Sequence, residues 1–250
     1  MPDHDQALDH LYVQGYATAE SFDRYSGDSG GGGFKRRTVN RGTHGAARNQ
    51  ELSDTFGELD GERGDFQLAD DELTAQGTII VLEGEGASYP LKLESLNRMT
   101  THRKRPKQPR WLLLSVRPAT ETAPERATVW VADAHRAAFM KLFEDYLSGL
   151  TKTGQPPNQD LVANISRIRK AVLADLWTSD GDPPQRGQHW WELWLDTSSG
   201  DIEAINGFVN TYQLRMLPRS IQLRDRFVVW VEATWSQLEP LPFTVVPLAE

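Results

Sequence analysis

The chain has 250 residues, of which 38% are hydrophobic and 25% are charged, and its formal net charge at pH 7 is -8. This length can bury a substantial core, as one large domain or two small ones. The absence of cysteine excludes disulfides and thiolate chemistry, and the acidic balance argues against general affinity for nucleic acid.

The first 42 residues are predicted to form an extended or flexible lead. They are polar and include consecutive glycines at 30–33, a run too costly in conformational entropy to order by itself. The chain starts without the apolar region of a secretory signal, and no apolar run reaches membrane-spanning length, so we expect a cytoplasmic protein with no membrane partner. Apolar residues at loose helical spacing then predict a helix over 43–59.

Four β-branched and aromatic segments follow, and each predicts a strand. They are residues 78–82, 91–96, 111–116 and 127–131. An apolar stripe over 134–148 predicts an amphipathic helix that ends before Gly149. We assign residues 43–153 to a first α+β unit on this pattern.

The second half repeats the alternation, so residues 154–250 are predicted to form a second α+β unit. Apolar residues spaced along one helical face predict a long helix over about 159–177. Further predicted elements are a strand at 190–195, a helix at 201–213, a strand at 227–233 and a short helix from Thr234. The predicted fold class is α+β, with mixed or antiparallel sheets and helices packed on one face, and ferredoxin-like units are the natural candidate.

Two short motifs resemble protease motifs but lack the partners that catalysis requires. Gly27-Asp-Ser-Gly-Gly31 spells the surroundings of a chymotrypsin-type nucleophile, and Gly42-Thr-His-Gly45 faintly resembles a subtilisin histidine motif. A serine nucleophile needs an adjacent base that a third group orients, and no matching motifs occur. We interpret Ser29 as part of a glycine-rich linker and His44 as a residue near the start of a surface helix. An enzyme acting through either residue is one alternative, but we predict no catalytic residue.

No metal or cofactor site is predicted. His189 and Glu192, like the acidic, histidine-containing start of the chain, lack the spacing of a His-Glu-x-x-His helix or of another ligand motif. The glycine run lacks the Lys and the Ser or Thr of a phosphate-binding loop.

The basic stretch 98–110 is the nucleic-acid-binding candidate. Cationic side chains there can track phosphates, and Trp111 can in principle stack a base. The central cations are Arg103, Lys104, Arg105 and Lys107. No nucleic-acid-binding motif surrounds the stretch, so we interpret it as a solvated loop between strands and keep nucleic-acid binding as an alternative function.

Tryptophans concentrate towards the end of the chain. On 190–195, Trp191 alternates with Leu193 and Leu195, and the side chains between them belong to the opposite face. One face must belong to a core, and the other needs a cover, either a helix of this chain or a partner surface. The candidate protein-binding residues are Trp190, Trp194, Trp230 and Trp235.

The order of motifs along the chain resembles the non-catalytic N-terminal region of large bacterial subtilisin-like serine peptidases. The motifs run from Tyr16-Ala-Thr-Ala-Glu20 through Phe34-Lys-Arg-Arg37 and Trp190-Trp-Glu-Leu-Trp-Leu195 to residues 226–238. In that family a Ser/His/Asp catalytic domain follows this region. Some members are encoded beside an AAA-type ATPase and are suspected of roles in bacterial defence.

This resemblance implies a non-catalytic module of a subtilisin-like serine protease. It would act as a propeptide-like folding aid, a regulator or a docking domain for the cognate catalytic domain, with the ATPase as a further partner. No position matches the family's catalytic triad, so the resemblance implies no hydrolysis by this chain. Subtilisin propeptides share the ferredoxin-like topology, which is an analogy of fold alone.

Overall fold

The computed structural model describes residues 34–65, 77–100, 108–177, 182–196, 202–223 and 226–244. The chain separates into two compact units, residues 1–35 and 36–250. Of the first unit, only Phe34 and Lys35 are described, and they belong to no helix or strand. Within the described ranges, no helix is long and apolar enough to cross a membrane.

The first sheet has five strands, and all of its pairings are antiparallel, in the order β2-β3-β4-β1-β5. The strands are β1 (Gly77–Gly84), β2 (Arg98–Met99), β3 (Pro109–Arg117), β4 (Arg126–Ala132) and β5 (Ile165–Lys170). The helices of this half are α1 (Arg41–Asp65), α2 (Arg136–Ser148) and the single turn α3 (Gln159–Val162). Helix α1 packs against β5 and α2.

The second sheet is built around its last strand. Its strands are β6 (Gln188–Asp196), β7 (Arg215–Met216), β8 (Ile221–Gln222) and β9 (Arg226–Thr234). The helices of this half are α4 (Ile202–Thr211), α5 (Trp235–Leu238) and α6 (Leu241–Thr244). Strand β9 pairs antiparallel with β6 along one edge and with β7 and β8 along the other.

Both sheets place a returning strand between two strands that run parallel to each other. In the first sheet β4 lies between β1 and β3, and in the second β9 lies between β6 and β7. This is the split arrangement expected of ferredoxin-like units. Helix α4 forms the crossover of the second sheet, whereas the described residues between β1 and β3 form only a 3-10 turn (Leu93–Leu96) and β2. The α+β class is confirmed, while the ferredoxin-like assignment and the division at residue 154 stay predictions.

One hydrophobic core joins a face of each sheet to α4. Its buried members include Ile79, Val81 and Trp130 of the first sheet, Trp191, Leu193 and Val231 of the second, and Ile205 and Phe208 of α4. The other face of the first sheet packs on α2, where the rings of Trp111 and Phe139 meet edge to face at 5.3 Å. The first sheet is therefore covered on both faces.

Two predicted elements are wrong. Residues 91–96 contain a 3-10 turn instead of a strand, and the predicted helix over 159–177 is divided into α3, β5 and a 3-10 turn. Strand β5 pairs with β1 through a register shift at Glu83 and Gly84, which turns Ile165 and Ile168 to the same face. An extra residue in a strand thus gives apolar positions three apart, which is also a helical spacing. The other predicted strands and helices that lie within the described residues are confirmed.

Candidate protein-binding surface

Strand β6 turns one set of side chains into the core and the other set outwards. Trp191, Leu193 and Leu195 are buried core residues. Trp190, on the opposite face, is 44% exposed. The sequence left open which face of this strand is buried, and the structure assigns the core to the face of Trp191.

The outward side chains of β6 join those of β9 and of the edge strands in one surface. In the strand register, Trp190 lies opposite Glu232, Glu192 opposite Trp230, and Trp194 opposite Val228. Residues directly opposite each other project from the same face of a sheet. Arg215 also lies opposite Glu232, and Ile221 lies opposite Val228. We call this set the tryptophan face: Trp190, Glu192, Trp194, Arg215, Ile221, Val228, Trp230 and Glu232.

Polar contacts hold the indoles of the tryptophan face in place. The guanidinium of Arg215 lies 5.5 Å from the centroid of the Trp190 ring, and its Nη1 lies 2.5 Å from Oε2 of Glu232. Nε1 of Trp194 donates a hydrogen bond to Oε1 of Glu192 over 2.7 Å. Cation–π and hydrogen-bond contacts of this kind restrict a ring without burying it. The indoles are therefore held in place while Trp190 stays exposed and Trp194 and Trp230 stay partly exposed, whereas Val228 between the strands is buried.

Exposed apolar side chains concentrate around this sheet. Trp190, Ile221 and Leu223 are 44%, 47% and 42% exposed, and they account for three of the five large exposed hydrophobic residues in the described part of the chain. Arg219 extends the patch, since its guanidinium lies 5.6 Å from the ring of Trp230. An exposed apolar patch rimmed by charged residues is typical of an interaction site.

Trp235 does not belong to the tryptophan face. Its ring lies 5.7 Å from that of Trp191, and it packs against the shared core. The reason is local, because β9 ends at Thr234 and a helical turn begins there. The N–H of Thr234 donates to Oε1 of Gln237 over 2.9 Å in a capping box, so Trp235 no longer follows the alternation of the strand. The structure thus brings together three of the four predicted tryptophans and places the fourth on the opposite side.

The basic candidate for nucleic-acid binding lies mostly outside the described residues, including Arg103, Lys104, Arg105 and Lys107. The indole next to it is described and is not available for stacking. Trp111 is 4% exposed, and its Nε1 donates to the carbonyl oxygen of Ser95 over 3.1 Å. The interpretation of Trp111 as the start of a buried strand is therefore confirmed, and its role as a base-stacking residue is wrong.

His44 has a structural contact in place of a catalytic one. It lies in the first turn of α1, half-buried, and its Nε2 donates to the carbonyl oxygen of Val162 over 3.0 Å. Burial lowers the pKa of His44 below 6.5, the Val162 contact opposes this, and the nearby charges of Arg48 and Arg37 lower it further. The imidazole thus serves as a neutral donor that ties α1 to the segment before β5. Ser29 lies outside the described residues.

Basic residues before and within α1 also serve the fold. Arg41 donates from Nε to the carbonyl oxygen of Tyr146 and from Nη2 to that of Gly149, each over 2.5 Å, and so neutralises the end of α2. The backbone N–H of Arg37 donates to Oδ1 of Asn164 over 2.9 Å. Among the residues that the structure describes, no three acidic or histidine side chains converge on a possible metal position.

Comparison of the chain with models of protein families, with curated proteins and with solved structures gave no match.

Proposed function

We propose that this chain is a non-catalytic docking and regulatory module that binds a subtilisin-like catalytic domain through the tryptophan face. The observation that carries the proposal is the outer face of the second sheet, where Trp190, Trp194 and Trp230 lie together in a partly exposed patch. The identity of the partner comes from the family resemblance of the sequence.

The physical case rests on the kind of residue that is exposed. Tryptophan and arginine are the residues most enriched among those that dominate binding energy at protein interfaces. Here they lie on a hydrogen-bonded sheet, so binding does not require the backbone to become ordered first. Glu192, Arg215 and Glu232 lie between and beside the indoles, so the surface offers a partner both apolar area and charged groups, as protein–protein interfaces do.

The resemblance supplies the wider setting of this proposal. It favours a bacterial, cytoplasmic protein that aids the folding of the catalytic domain, restrains it or docks it to a partner, with an AAA-type ATPase as a further partner in a defence system. The chain itself would hydrolyse no peptide bond.

The test measures binding of the purified chain to its cognate catalytic domain by calorimetry, together with inhibition of peptide hydrolysis. We expect Trp190→Ala to weaken binding about 30-fold, the effect of losing a strong interface residue. The matched control is Leu150→Ala, because Leu150 is 67% exposed but follows α2 on the other side of the first sheet. Equal affinity for both variants and the parent chain, or no binding and no inhibition by the parent chain, would contradict the proposal.

A further inference from the structure

We propose that strand β6 accepts an extended segment of the partner protein as an additional strand. The segment carries a Lys or Arg, with an apolar side chain two residues away on either side. This inference rests on the proposed function, because it specifies how the partner is held at the border of the tryptophan face.

Strand β6 is a long and regular sheet edge. It pairs with β9 over nine residue pairs without a register shift, from Gln188 opposite Thr234 to Asp196 opposite Arg226. Within the described part of the chain, β6 pairs with no other strand. Its outer edge therefore presents a row of backbone N–H and C=O groups that can bind an added strand.

The edge formed by β5 in the first sheet is closed by side chains. On β5, the N–H of Ile168 donates to Oε2 of Glu51 over 2.9 Å, and the carbonyl oxygen of Ser166 accepts from Arg48. Both of these side chains belong to α1, which lies along that edge. The remaining edge strands, β2, β7 and β8, have two residues each. The fold thus protects the edge of β5 and keeps these three edge strands short, whereas β6 offers a nine-residue edge that pairs with no described strand.

The sequence of β6 lacks two of the devices that prevent strand addition. It contains neither proline nor lysine, which proteins place on edge strands to block pairing. On its outward face, Trp190 and Trp194 flank the exposed Glu192. Side chains directly opposite each other on neighbouring strands interact. An added strand therefore gains most if a cation lies opposite Glu192 and apolar residues lie opposite the two indoles.

Charge favours a partner segment over a second copy of this chain. The antiparallel register that pairs all nine residues of two β6 strands places Glu192 opposite the same residue of the other copy, and like charges in that position are destabilising. A Lys or Arg in the partner instead forms an ion pair with Glu192 and lies beside the ring of Trp194. The net charge of -8 further favours a basic segment.

The test uses the full chain and a capped seven-residue peptide in which threonine alternates with isoleucine, arginine and isoleucine. A second peptide has glutamate at the central position. We expect the arginine peptide to bind about fivefold more tightly than the glutamate peptide, because arginine pairs favourably with Glu192 across the strands and glutamate is repelled by it. We also expect it to slow amide hydrogen exchange at alternate residues of 188–196. Alternate backbone N–H groups of an added strand point to opposite edges, and only one set faces β6. Methylation of that set of peptide amide nitrogens should abolish binding, whereas methylation of the other set should not.

Charge reversal distinguishes strand addition to β6 from nonspecific binding of peptides to the tryptophans. Glu192→Lys should reverse the preference between the two peptides, whereas Glu144→Lys, at an exposed position on α2, should leave it unchanged. Equal affinity for both peptides, protection outside β6, indifference to N-methylation, or dimerisation of the chain through β6 in sedimentation would each overturn the inference. Binding of an oligothymidylate to the tryptophan face without peptide binding would also do so.

The two proposals can fail separately. If the catalytic domain binds and Trp190→Ala weakens it, but Glu192→Lys and peptide methylation have no effect, strand addition is wrong and the docking surface stands. If the peptide adds to β6 while the catalytic domain does not bind, the open edge stands and the proposed partner is wrong.

Discussion

The two sheets share a split strand order but differ in what covers them. Every residue of β1 in the first sheet is buried, because helices lie on one side and the shared core on the other. In the second sheet, β6 alternates between buried and exposed residues, as an antiparallel strand with one solvated face does. Strand order alone therefore does not decide which surface of a sheet is free to bind.

The edge strands β5 and β6 also differ in what covers them. In the first sheet, side chains of α1 satisfy the backbone of β5, so that helix covers a face and closes an edge at once. In the second sheet, Trp190 and Glu192 are exposed, and no described strand pairs with the outer edge of β6. Substitutions at matched positions of the two sheets should therefore have unequal effects.

The largest expected difference is between Ile80→Ala in β1 and Trp190→Ala in β6. Ile80 is 0% exposed, so removing its side chain leaves a cavity and should lower the free energy of unfolding by about 3 kcal/mol. Trp190 is 44% exposed, and its loss should change stability by less than about 1 kcal/mol. Urea titration followed by circular dichroism measures both. Similar losses in the two variants would show that the second sheet is covered in solution.

A second comparison sets a buried ion pair against an exposed one. Arg169 of β5 donates from Nη1 and Nη2 to the two carboxylate oxygens of Asp175, each over 2.7 Å, and from Nε to Oε1 of Glu83 over 2.9 Å. The hydrogen bond to Asp175, more than that to Glu83, raises the pKa of Arg169 against the effect of burial. Arg169→Ala leaves two buried carboxylates without this partner and should cost about 3 kcal/mol.

The control for Arg169→Ala is Arg215→Ala in the second sheet. The Arg215 side chain is 74% exposed, so its ion pair with Glu232 is screened by water and should contribute less than about 1 kcal/mol. Chemical denaturation in low and high salt measures the two losses. A loss for Arg215→Ala as large as that for Arg169→Ala would contradict the contrast between the sheets.

A third comparison concerns the edges. Glu51→Ala removes the acceptor for the N–H of Ile168 and should lower stability by about 1–2 kcal/mol, because a donor in a residue that is 4% exposed loses its partner. Glu192→Ala on β6 removes an exposed carboxylate and should change stability by about 0.5 kcal/mol or less. Thermal unfolding measures both, and amide exchange of β5 in Glu51→Ala reports whether its edge has opened.

The smallest expected effect is a pH dependence carried by His44. Its pKa in the folded chain is below the 6.5 of an exposed histidine, so on acidification the unfolded chain binds a proton first. The contribution of His44 to stability is therefore complete above pH 6.5, and it is lost as the pH falls below that value. His44→Gln should flatten this part of the profile in urea titrations between pH 7.5 and 5.5. An unchanged slope in the variant would assign the dependence to other groups.

Most of the strands and helices could be predicted because periodicity is a local property of the sequence. The exception at 159–177 shows the limit, since β5 owes its form to β1, more than 80 residues earlier in the chain. Isolated from that partner, its apolar residues have the spacing of a helix. The strand pairing and the register shift that it contains decide the outcome.

The candidate surface could be predicted in part. Strand alternation was enough to group Trp190 with Trp194, but it gave no means of placing Trp235, which follows a capping box and turns to the core. The open edge of β6 could not be predicted, because an edge strand is one that pairs with another strand on one side only. That requires the whole strand order, including the position of β9 between β6 and β7.

The position of β9 also has a consequence during translation. All pairings of the second sheet involve β9, so none of them can form until the ribosome has passed residue 234 and that stretch has left the exit tunnel. At bacterial or eukaryotic elongation rates, the nascent chain carries β6 with both of its sides unpaired for on the order of seconds. A tryptophan-rich strand in that condition exposes apolar surface and an unpaired backbone, which favours aggregation until β9 arrives.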